Sequence, residues 1–259
     1  MAKTGSRKAF HPVRVGIGGW SFPEWRDNFY PKGLRQADEL AHAAARLGSI
    51  EINGTFYRTQ TPQTFRSWRA AVPDGFVFSV KAARGAAQRK DAAEAAPSVQ
   101  RFLGSGLTEL GSALGPILWQ LPPARRFDAD GLARFLDLLP ERQDGIALRH
   151  VLEARHESFA TEPALRLLAE RNVALVALDL DPDAPGAAAG FPLTADFAYL
   201  RLQATRDEQA LGYAPSALDD WARRLRTLSK QREVFAYVIA GAKHRAPAAA
   251  QALIHRLEP

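Results

Sequence analysis

The segment SIEINGTFYR, residues 49–58, joins the end of an apolar strand to a cluster of polar side chains. Glu51 and Asn53 alternate with Ile50 and Ile52, so the polar side chains share one face of the predicted strand and the isoleucines share the other. A strand that becomes polar at its carboxyl end is typical of a site in a parallel α/β fold. The segment therefore predicts a strand and a site together.

Strand patterns of this kind recur along the 259 residues and alternate with helical ones. The predicted strands cover residues 14–18, 49–53, 77–81, 117–120, 149–155, 174–179, 198–203 and 233–239. The predicted helices cover residues 36–47, 62–71, 98–110, 129–139, 162–171, 216–229 and 247–257. Eight alternations over this length predict a closed (β/α)₈ TIM barrel, a fold of about 250 residues.

The domain organisation is expected to be simple, because no internal repeat, charge block or linker divides the chain. Residues 13–259 are predicted to form one barrel domain, and residues 1–12 a flexible basic tail. Residues 181–192 are rich in Pro, Gly and Ala and carry no helical pattern, so the sixth βα unit is expected to be irregular.

The composition excludes several classes of site. The chain has no cysteine, which removes disulfides, thiolate zinc sites, iron–sulfur clusters and cysteine nucleophiles and fits a reducing compartment. No apolar run approaches the roughly 20 residues that a membrane helix needs. We therefore expect a cytoplasmic protein that does not contact the membrane, and its net charge of +6 favours anionic partners.

Polar residues of one parity gather at the carboxyl ends of six predicted strands, where barrel enzymes place their sites. This inward set is Glu51, Asn53, Ser79, Lys81, Gln120, Glu153, Arg155, Asp179, Arg201 and Gln203. The opposite parity holds Ile52, Phe78, Trp119, Leu152, Leu178 and Leu202. The alternation predicts a polar pocket in the mouth of the barrel.

The charged groups of this pocket support more than one interpretation. Lys81, Arg155 and Arg201 suit phosphate or carboxylate recognition, which makes an anion site the leading functional hypothesis. Glu51 and Glu153 could instead serve as a general acid and base of the glycosidase type. The structural alternative is a salt-bridge network that closes the barrel without any chemistry.

Two histidines follow predicted strands and leave a metal site open. His156 and His244 could transfer protons or, with Glu51, Glu153 and Asp179, hold a divalent metal. Neither an HxH nor an HExxH spacing is present, so we assign no metal site and predict no cofactor.

Aromatic and basic loops surround the predicted mouth. Residues 18–30, GGWSFPEWRDNFY, could stack on bases or sugars, or could form a small satellite core. Loops 81–91, 121–127 and 240–246 carry net charges of +3, +2 and +2, which together exceed the +6 of the whole chain. A basic rim of this kind would suit a polyanion such as nucleic acid, and an ordinary solvated rim is the alternative.

Six motifs in order resemble the YecE-like barrels, known as domain-of-unknown-function family 72. They are GGWSFPEWRDNFYP, IEINGTFYRTQTPQTFRSW, FSVKAAR, ILWQLPP, LEARHESF and ADFAYLRL, and the resemblance covers residues 13–245. The resemblance implies a TIM barrel and supplies no established reaction. By outline the barrel is also similar to sugar-isomerase and endonuclease-IV-like barrels, an analogy of fold alone.

The resemblance also marks positions where the family carries polar signatures and positions where this chain departs from it. The matching residues are Glu51, Asn53, Thr55, Tyr57, Arg58, Lys81, Gln120, Glu153, Arg155, His156 and Arg201. The family typically has histidine and glycine where this chain has Gln203 and Ala204, and paired asparagines at residues 239–241, where this chain reads IAG. These departures predict a different ligand or a lost activity.

The leading hypothesis is a barrel that binds a phosphate-bearing ligand, either nucleic acid or another phosphoester. Whether it is an enzyme stays open, and a hydrolase of phosphoester or glycosidic bonds is the class considered. The alternatives are a non-catalytic binding barrel and an enzyme that acts on a small sugar or sugar phosphate. The candidate catalytic residues are Glu51, Glu153 and His156. The candidate ligand-binding residues are Asn53, Tyr57, Arg58, Lys81, Gln120, Arg155, Asp179 and Arg201.

Overall fold

Parallel strands arranged in a ring form the centre of the fold. The structure is a computed structural model that describes residues 10–179 and 192–258. The strands are β1 (Val13–Gly18), β2 (Ser49–Ile52), β3 (Val77–Lys81), β4 (Leu114–Gln120), β5 (His150–Glu153), β6 in two segments (Ala174–Leu175 and Ala177–Asp179), β7 (Phe197–Leu202) and β8 (Glu233–Val238). The TIM barrel predicted from the sequence is confirmed.

The ring closes at β6, whose two segments pair with different neighbours. The sheet runs from the first segment of β6 through β5, β4, β3, β2, β1, β8 and β7 to the second segment of β6. Only Val176 separates the two segments, and its N–H donates to the carbonyl of Leu152 on β5 at 2.9 Å. A two-residue antiparallel hairpin, Arg142–Gln143 with Ile146–Ala147, lies outside the barrel.

Helices follow most of the strands and cover the outside of the barrel. Within the described residues the α-helices are α1 (Glu39–Ala44), α2 (Gly54–Tyr57), α3 (Pro62–Ala70), α4 (Arg84–Ala87), α5 (Ala92–Leu103), α6 (Ala129–Leu136), α7 (Glu162–Ala169), α8 (Pro215–Ser229) and α9 (Ala246–Leu257). Short 3₁₀ helices cover Pro23–Trp25, Gln36–Asp38, Leu107–Ala113, Glu157–Ala160 and Lys243–Arg245. None of the helices among these residues has the length and apolar character that a membrane crossing requires.

One helix differs from its prediction. The sequence pattern placed a helix over residues 98–110, whereas α5 begins at Ala92 and ends at Leu103. The Asp91 side chain caps it by accepting from the backbone N–H of Ala93 at 2.7 Å. The prediction began too late because Pro97, which usually breaks a helix, lies inside α5. The predicted end was too late because the 3₁₀ helix Leu107–Ala113 begins soon after α5, and the sequence pattern merged the two helices across Gly104 and Gly106.

Two predicted features fall largely outside the described residues. They are the basic tail, of which residues 10–12 are described, and the irregular sixth unit, of which only Pro192 is described.

The short helices α2 and α4, which follow β2 and β3, were not predicted because four residues are too few to show a helical period.

Aromatic and hydroxyl side chains fill the barrel below its mouth. Tyr237 and Tyr199 share hydrogen bonds of 2.7 Å with the hydroxyls of Ser49 and Ser79 respectively. Gly16 lies beside Tyr237 in register and makes room for this layer, because a Cβ at Gly16 would lie 1.9 Å from the Ser49 carbonyl oxygen. The inward face of β1 therefore has to be free of side chains here.

The amino-terminal end of the barrel is closed by an ion-pair network. Glu233 accepts from Arg14 Nε at 2.5 Å and from Arg149 Nη1 at 2.6 Å. Burial alone would raise the pKa of Glu233, but these two arginines lower it below its usual value. The network keeps this end charged and closed, so the open end is the carboxyl end of the strands.

We predict that Gly16→Ala destabilises the fold and that Gly54→Ala does not. The methyl at residue 16 would overlap the Ser49 carbonyl, whereas nothing lies within 4 Å of a Cβ at residue 54. The expected loss for Gly16→Ala is about 2 kcal/mol or more in the free energy of unfolding, since overpacking a tight interior forces the backbone to shift. Urea unfolding measures both variants, and equal stabilities would contradict the packing described for β1.

Candidate functional site

Arg201 lies at the centre of the barrel mouth and joins two carboxylates. Its side chain is almost fully buried. The Nε and Nη2 groups donate to the Glu51 carboxylate at 3.1 and 3.0 Å, and Nη1 donates to Glu153 Oε2. We call Glu51, Arg201 and Glu153 the carboxylate bridge. A forked guanidinium between two carboxylates fixes β2, β5 and β7 relative to one another across the barrel.

Further donors complete the hydrogen bonding of both carboxylates. The Tyr199 hydroxyl donates to Glu51 Oε2 at 2.7 Å. Glu153 Oε1 accepts from Gln120 Nε2 and from Arg155 Nε, both at 2.9 Å. Each buried carboxylate thus has the several partners that compensate for the loss of water.

The electrostatics hold Glu153 in its ionised form. Burial would raise its pKa, but Arg201, Gln120 and Arg155 together lower the pKa below its usual value. Burial would likewise lower the pKa of Arg201, and Glu51 and Glu153 raise it above its usual value instead. Glu153 and Arg201 therefore both stay charged at neutral pH.

Lys81 stands apart from this network, although it ends β3 on the same mouth. Its side chain is 8% exposed. Among residues 10–179 and 192–258 no hydrogen bond or ion pair reaches its Nζ, which lies 4.3 Å from the centroid of the Phe56 ring. The Thr55 hydroxyl donates to the Lys81 carbonyl at 2.6 Å and anchors the end of the strand. The ammonium group is buried without a partner of its own.

The environment of Lys81 lowers the pKa of its side chain. Burial lowers its pKa, and the nearby charge of Arg201 lowers the pKa further, while Glu51 and Glu153 oppose these effects only in part. Because Arg201 and Arg155 already balance Glu51 and Glu153, Lys81 carries the one surplus charge of the group. A lysine in this state suits proton transfer or reaction with a carbonyl.

Six of the predicted site residues come together in the mouth as the parity argument expected. They are Glu51, Lys81, Gln120, Glu153, Arg155 and Arg201. Asn53 lies at their edge, where its side-chain amide faces the Glu51 carbonyl at 3.4 Å. Their functional roles remain predictions.

Tyr57, Arg58 and His156 take other positions. Tyr57 is 80% exposed and Arg58 is also exposed, and both line a pocket beside the mouth. His156 Nδ1 accepts from the backbone N–H of Ser158 at 3.2 Å and caps the 3₁₀ helix Glu157–Ala160. That ring nitrogen serves the local structure.

The expectation that Asp179 points into the barrel is wrong. Leu178 pairs in register with Arg201 and packs against the apolar cluster inside the barrel, whereas Asp179 pairs with the outward-facing Leu202. Asp179 accepts from the Tyr213 hydroxyl at 2.6 Å and from the Gln203 N–H. Burial raises its pKa to about 6, against the effect of these donors. The residues of β6 that face the inside of the barrel are Ala174, Val176 and Leu178. The prediction for Asp179 relied on its polarity and not on this alternation.

The three carboxylates considered as metal ligands are consequently not together. Glu51 and Glu153 share Arg201, and Asp179 lies on the other face of the sheet. No group of three His, Asp or Glu side chains in metal-binding proximity occurs among the described residues. His244 lies elsewhere on the rim, with its Nδ1 3.4 Å from Asp207.

The aromatic segment after β1 packs into the main hydrophobic core and does not form a separate satellite core. Trp25 and Tyr30 are each 1% exposed. Trp25 Nε1 donates to the Lys243 carbonyl at 2.8 Å, and the Tyr30 hydroxyl donates to the Trp20 carbonyl. The bond from Trp25 fixes the loop after β1 against the loop after β8, and Trp20, Phe22 and Phe29 are partly buried against the same core.

Sequence reasoning missed two residues that shape the mouth. Tyr199 precedes Arg201 by two residues, and that spacing could have placed it on the same inward face. Phe56 gave no such signal, because it comes from the unpredicted helix α2. Gln203, noted as a departure from the family pattern, accepts from Arg155 Nη2 at 3.3 Å and thereby holds the guanidinium on the side of β7.

The family model described as "Protein of unknown function DUF72" matches residues 14–259. This chain belongs to that family. A DUF72 family protein from Thermotoga maritima has 23% identity, a TM-score of 0.76, and coverage of 96% of this chain and 100% of that one. A DUF72 family protein from Enterococcus faecalis has 17% identity, a TM-score of 0.71, and coverage of 96% and 98%.

Sugar-acting barrels share the fold more distantly. D-Psicose 3-epimerase from Clostridium cellulolyticum has 13% identity, a TM-score of 0.56, and coverage of 95% of this chain and 100% of its own. At these identities the likeness to solved structures establishes the fold alone. No curated protein matches this chain.

We predict that Arg201→Met destabilises the protein strongly and in a pH-dependent way. Removing Arg201 leaves two buried carboxylates without their shared cation, and the expected loss is about 3–5 kcal/mol at neutral pH. Their pKa values in the folded state then rise above those of the unfolded chain. The deficit is therefore largest above the folded pKa values and shrinks as the pH falls toward about 4.3, the ordinary glutamate value.

Denaturant unfolding at several pH values measures this effect. Arg223→Met is the matched control, because Arg223 pairs with Asp220 on the surface with side-chain exposures of 71% and 54%. That variant should change stability by less than about 1 kcal/mol. A pH-independent loss, or equal losses in the two variants, would contradict the carboxylate bridge.

Proposed function

We propose that this DUF72 barrel is an enzyme that moves a proton on a small carbonyl-bearing substrate of the sugar class. The observation that carries the proposal is Lys81, a buried lysine with no partner among the described residues and a lowered pKa in the mouth of a TIM barrel. Perturbed titratable groups in such a mouth are typical of catalytic sites.

The chemistry would use Lys81 as the base. Its neutral amine takes a proton from the carbon next to a carbonyl group, and the electrons of that C–H bond form a C=C bond while the carbonyl π electrons move to the oxygen. Return of the proton to the opposite face of the same carbon gives an epimer. Return of the proton to the former carbonyl carbon gives an isomer, provided that the hydroxyl group on the first carbon passes its proton to the oxyanion and becomes the new carbonyl. Either route restores the amine. The step is balanced without a redox partner.

Arg155 would stabilise the oxygen anion formed in that step. Its Nε and Nη2 are engaged by Glu153 and Gln203, while its Nη1 makes no hydrogen bond within the described part of the chain. The side chain is one-third exposed, so it faces the open end of the mouth. A fixed N–H donor at the developing charge is the usual means of electrostatic stabilisation.

The carboxylate bridge would position these groups and would not exchange protons itself. Glu153 is held as an anion, and Glu51 accepts three hydrogen bonds from Arg201 and Tyr199. This geometry supports a role for both glutamates that differs from the acid–base pair considered from the sequence. The side-chain amides of Gln120 and Asn53 donate to Glu153 and to the Glu51 carbonyl, so their side-chain oxygens, which accept no hydrogen bond within the described residues, would accept from substrate hydroxyls.

The substrate class rests on shape and fold. The mouth presents closely spaced polar donors, and a barrel of similar fold is an epimerase of the sugar D-psicose. The hypothesis of a nucleic-acid ligand rests mainly on the basic rim, because Trp25 and Tyr30 of the aromatic segment are buried in the main core. The hypothesis of a phosphoester hydrolase lacks support, because no side chain of the described mouth is positioned as a nucleophile.

The proposal predicts solvent deuterium exchange at a sugar carbon that depends on Lys81. Ketoses, aldoses and their phosphates are incubated with the protein in D₂O, and NMR detects loss of the C–H signal next to the carbonyl. Lys81→Met should abolish the exchange while it retains the fold, since a buried ammonium without a partner contributes little to stability.

Lys230→Met is the control, because Lys230 is an exposed lysine that follows α8 at the far end of the barrel. It should leave exchange unchanged. Exchange that survives Lys81→Met would refute the role of Lys81, and a folded protein that exchanges none of the sugars would favour the non-catalytic binding barrel.

A further inference from the structure

A second polar pocket lies beside the mouth and contains three arginines. Its volume is about 340 Å³. Arg58 follows α2, Arg84 begins α4, and Arg101 lies in the last turn of α5, so three separate elements each contribute an exposed arginine to the lining of this pocket. We call this site the arginine pocket.

The three arginines have no counter-charge. No acidic side chain lines the pocket. Across residues 10–179 and 192–258 no ion pair or side-chain hydrogen bond joins Arg58, Arg84 or Arg101 to another group, although most arginines of these residues have such a partner. Three like charges around one cavity repel each other, and an anion would relieve that repulsion.

We propose that the arginine pocket binds the phosphate or pyrophosphate group of a small molecule. Planar guanidinium forks match the several oxygens of a phosphate, and a dianion balances more of the three charges than a single carboxylate does. The hydroxyls of Thr59 and Ser98 also line the pocket and supply neutral donors.

The size of the pocket and its rim favour a small molecule over a bare ion. Small-molecule pockets begin at about 300 Å³, which is larger than an inorganic phosphate needs. Tyr57, 80% exposed, lies at the rim and packs edge-on against Phe56 at 5.1 Å between ring centroids. Its free face offers an apolar surface for the organic part of the ligand.

The arginine pocket is distinct from the carboxylate bridge but adjoins it. Phe56 lines the pocket and also lies under the Lys81 ammonium. Tyr57 and Arg58, expected from the sequence to bind ligand, thus face this second site. Binding here does not depend on turnover at Lys81, and failure of one assignment leaves the other standing.

Isothermal titration with inorganic pyrophosphate tests the assignment, with sodium chloride at matched ionic strength in the reference buffer. The wild-type protein should bind one pyrophosphate per chain in a saturable way. Arg84→Gln and Arg101→Gln should each weaken binding by about tenfold, since one charged hydrogen bond is lost. These variants should fold normally because neither arginine has a partner in the described structure.

Two controls make the outcome decisive. Arg46→Gln removes one exposed positive charge between α1 and β2 at the opposite end of the barrel, and Lys81→Met removes the cation of the mouth. Both should bind pyrophosphate within twofold of the wild type. Absent binding, binding unaffected by Arg84→Gln and Arg101→Gln, or binding lost in Lys81→Met would overturn the assignment. Displacement of pyrophosphate by a single-stranded oligonucleotide at lower concentration would instead indicate a nucleic-acid surface.

Discussion

The contact between Arg201 and the carboxylates of Glu51 and Glu153 determines the rest of the mouth. Arg201 donates three hydrogen bonds to the two buried carboxylates, and Arg155 supplies the second positive charge that balances them, so neither glutamate is free to pair with Lys81. A buried ion network of this kind contributes little net stability because desolvation offsets the attraction. The main effect of the network is geometric. It fixes the positions of β2, β5 and β7 relative to one another, and it leaves Lys81 without a hydrogen bond or ion pair among the described residues.

Lys81 acquires its character from what surrounds it. A lysine beside two free carboxylates would stay protonated, whereas here Arg201 and Arg155 offset the effect of those carboxylates, and burial lowers the pKa of the ammonium group. The Phe56 ring supplies contact but accepts no proton. The polar side chains of the mouth thus form hydrogen bonds with the two glutamates, and the Lys81 amine is left free to contact a substrate.

The sequence predicted the barrel and most of the mouth because both follow from alternation along parallel strands. The alternation of side chains along β2 and β7 predicted that Glu51 and Arg201 both face the inside of the barrel. The register of these strands with their neighbours determines how far along the barrel axis each residue lies. The same reasoning went wrong at β6, where Asp179 was judged by its polarity although Leu178 occupies the inward position. Which cation pairs with which carboxylate depends on distances across the barrel, and no spacing along the chain encodes those distances. The arginine pocket escaped prediction for a related reason, since Arg58, Arg84 and Arg101 meet through two helices too short to show a period.

The central claim is that the amine of Lys81 loses its proton more readily than an ordinary lysine. An NMR titration of ¹³C-labelled lysine side chains measures this directly, with Lys81→Met to assign the signal and the exposed Lys230 as an internal reference. We expect a pKa for Lys81 below the ordinary lysine value of about 10.4. A pKa for Lys81 at or above that value would contradict the environment described for this side chain.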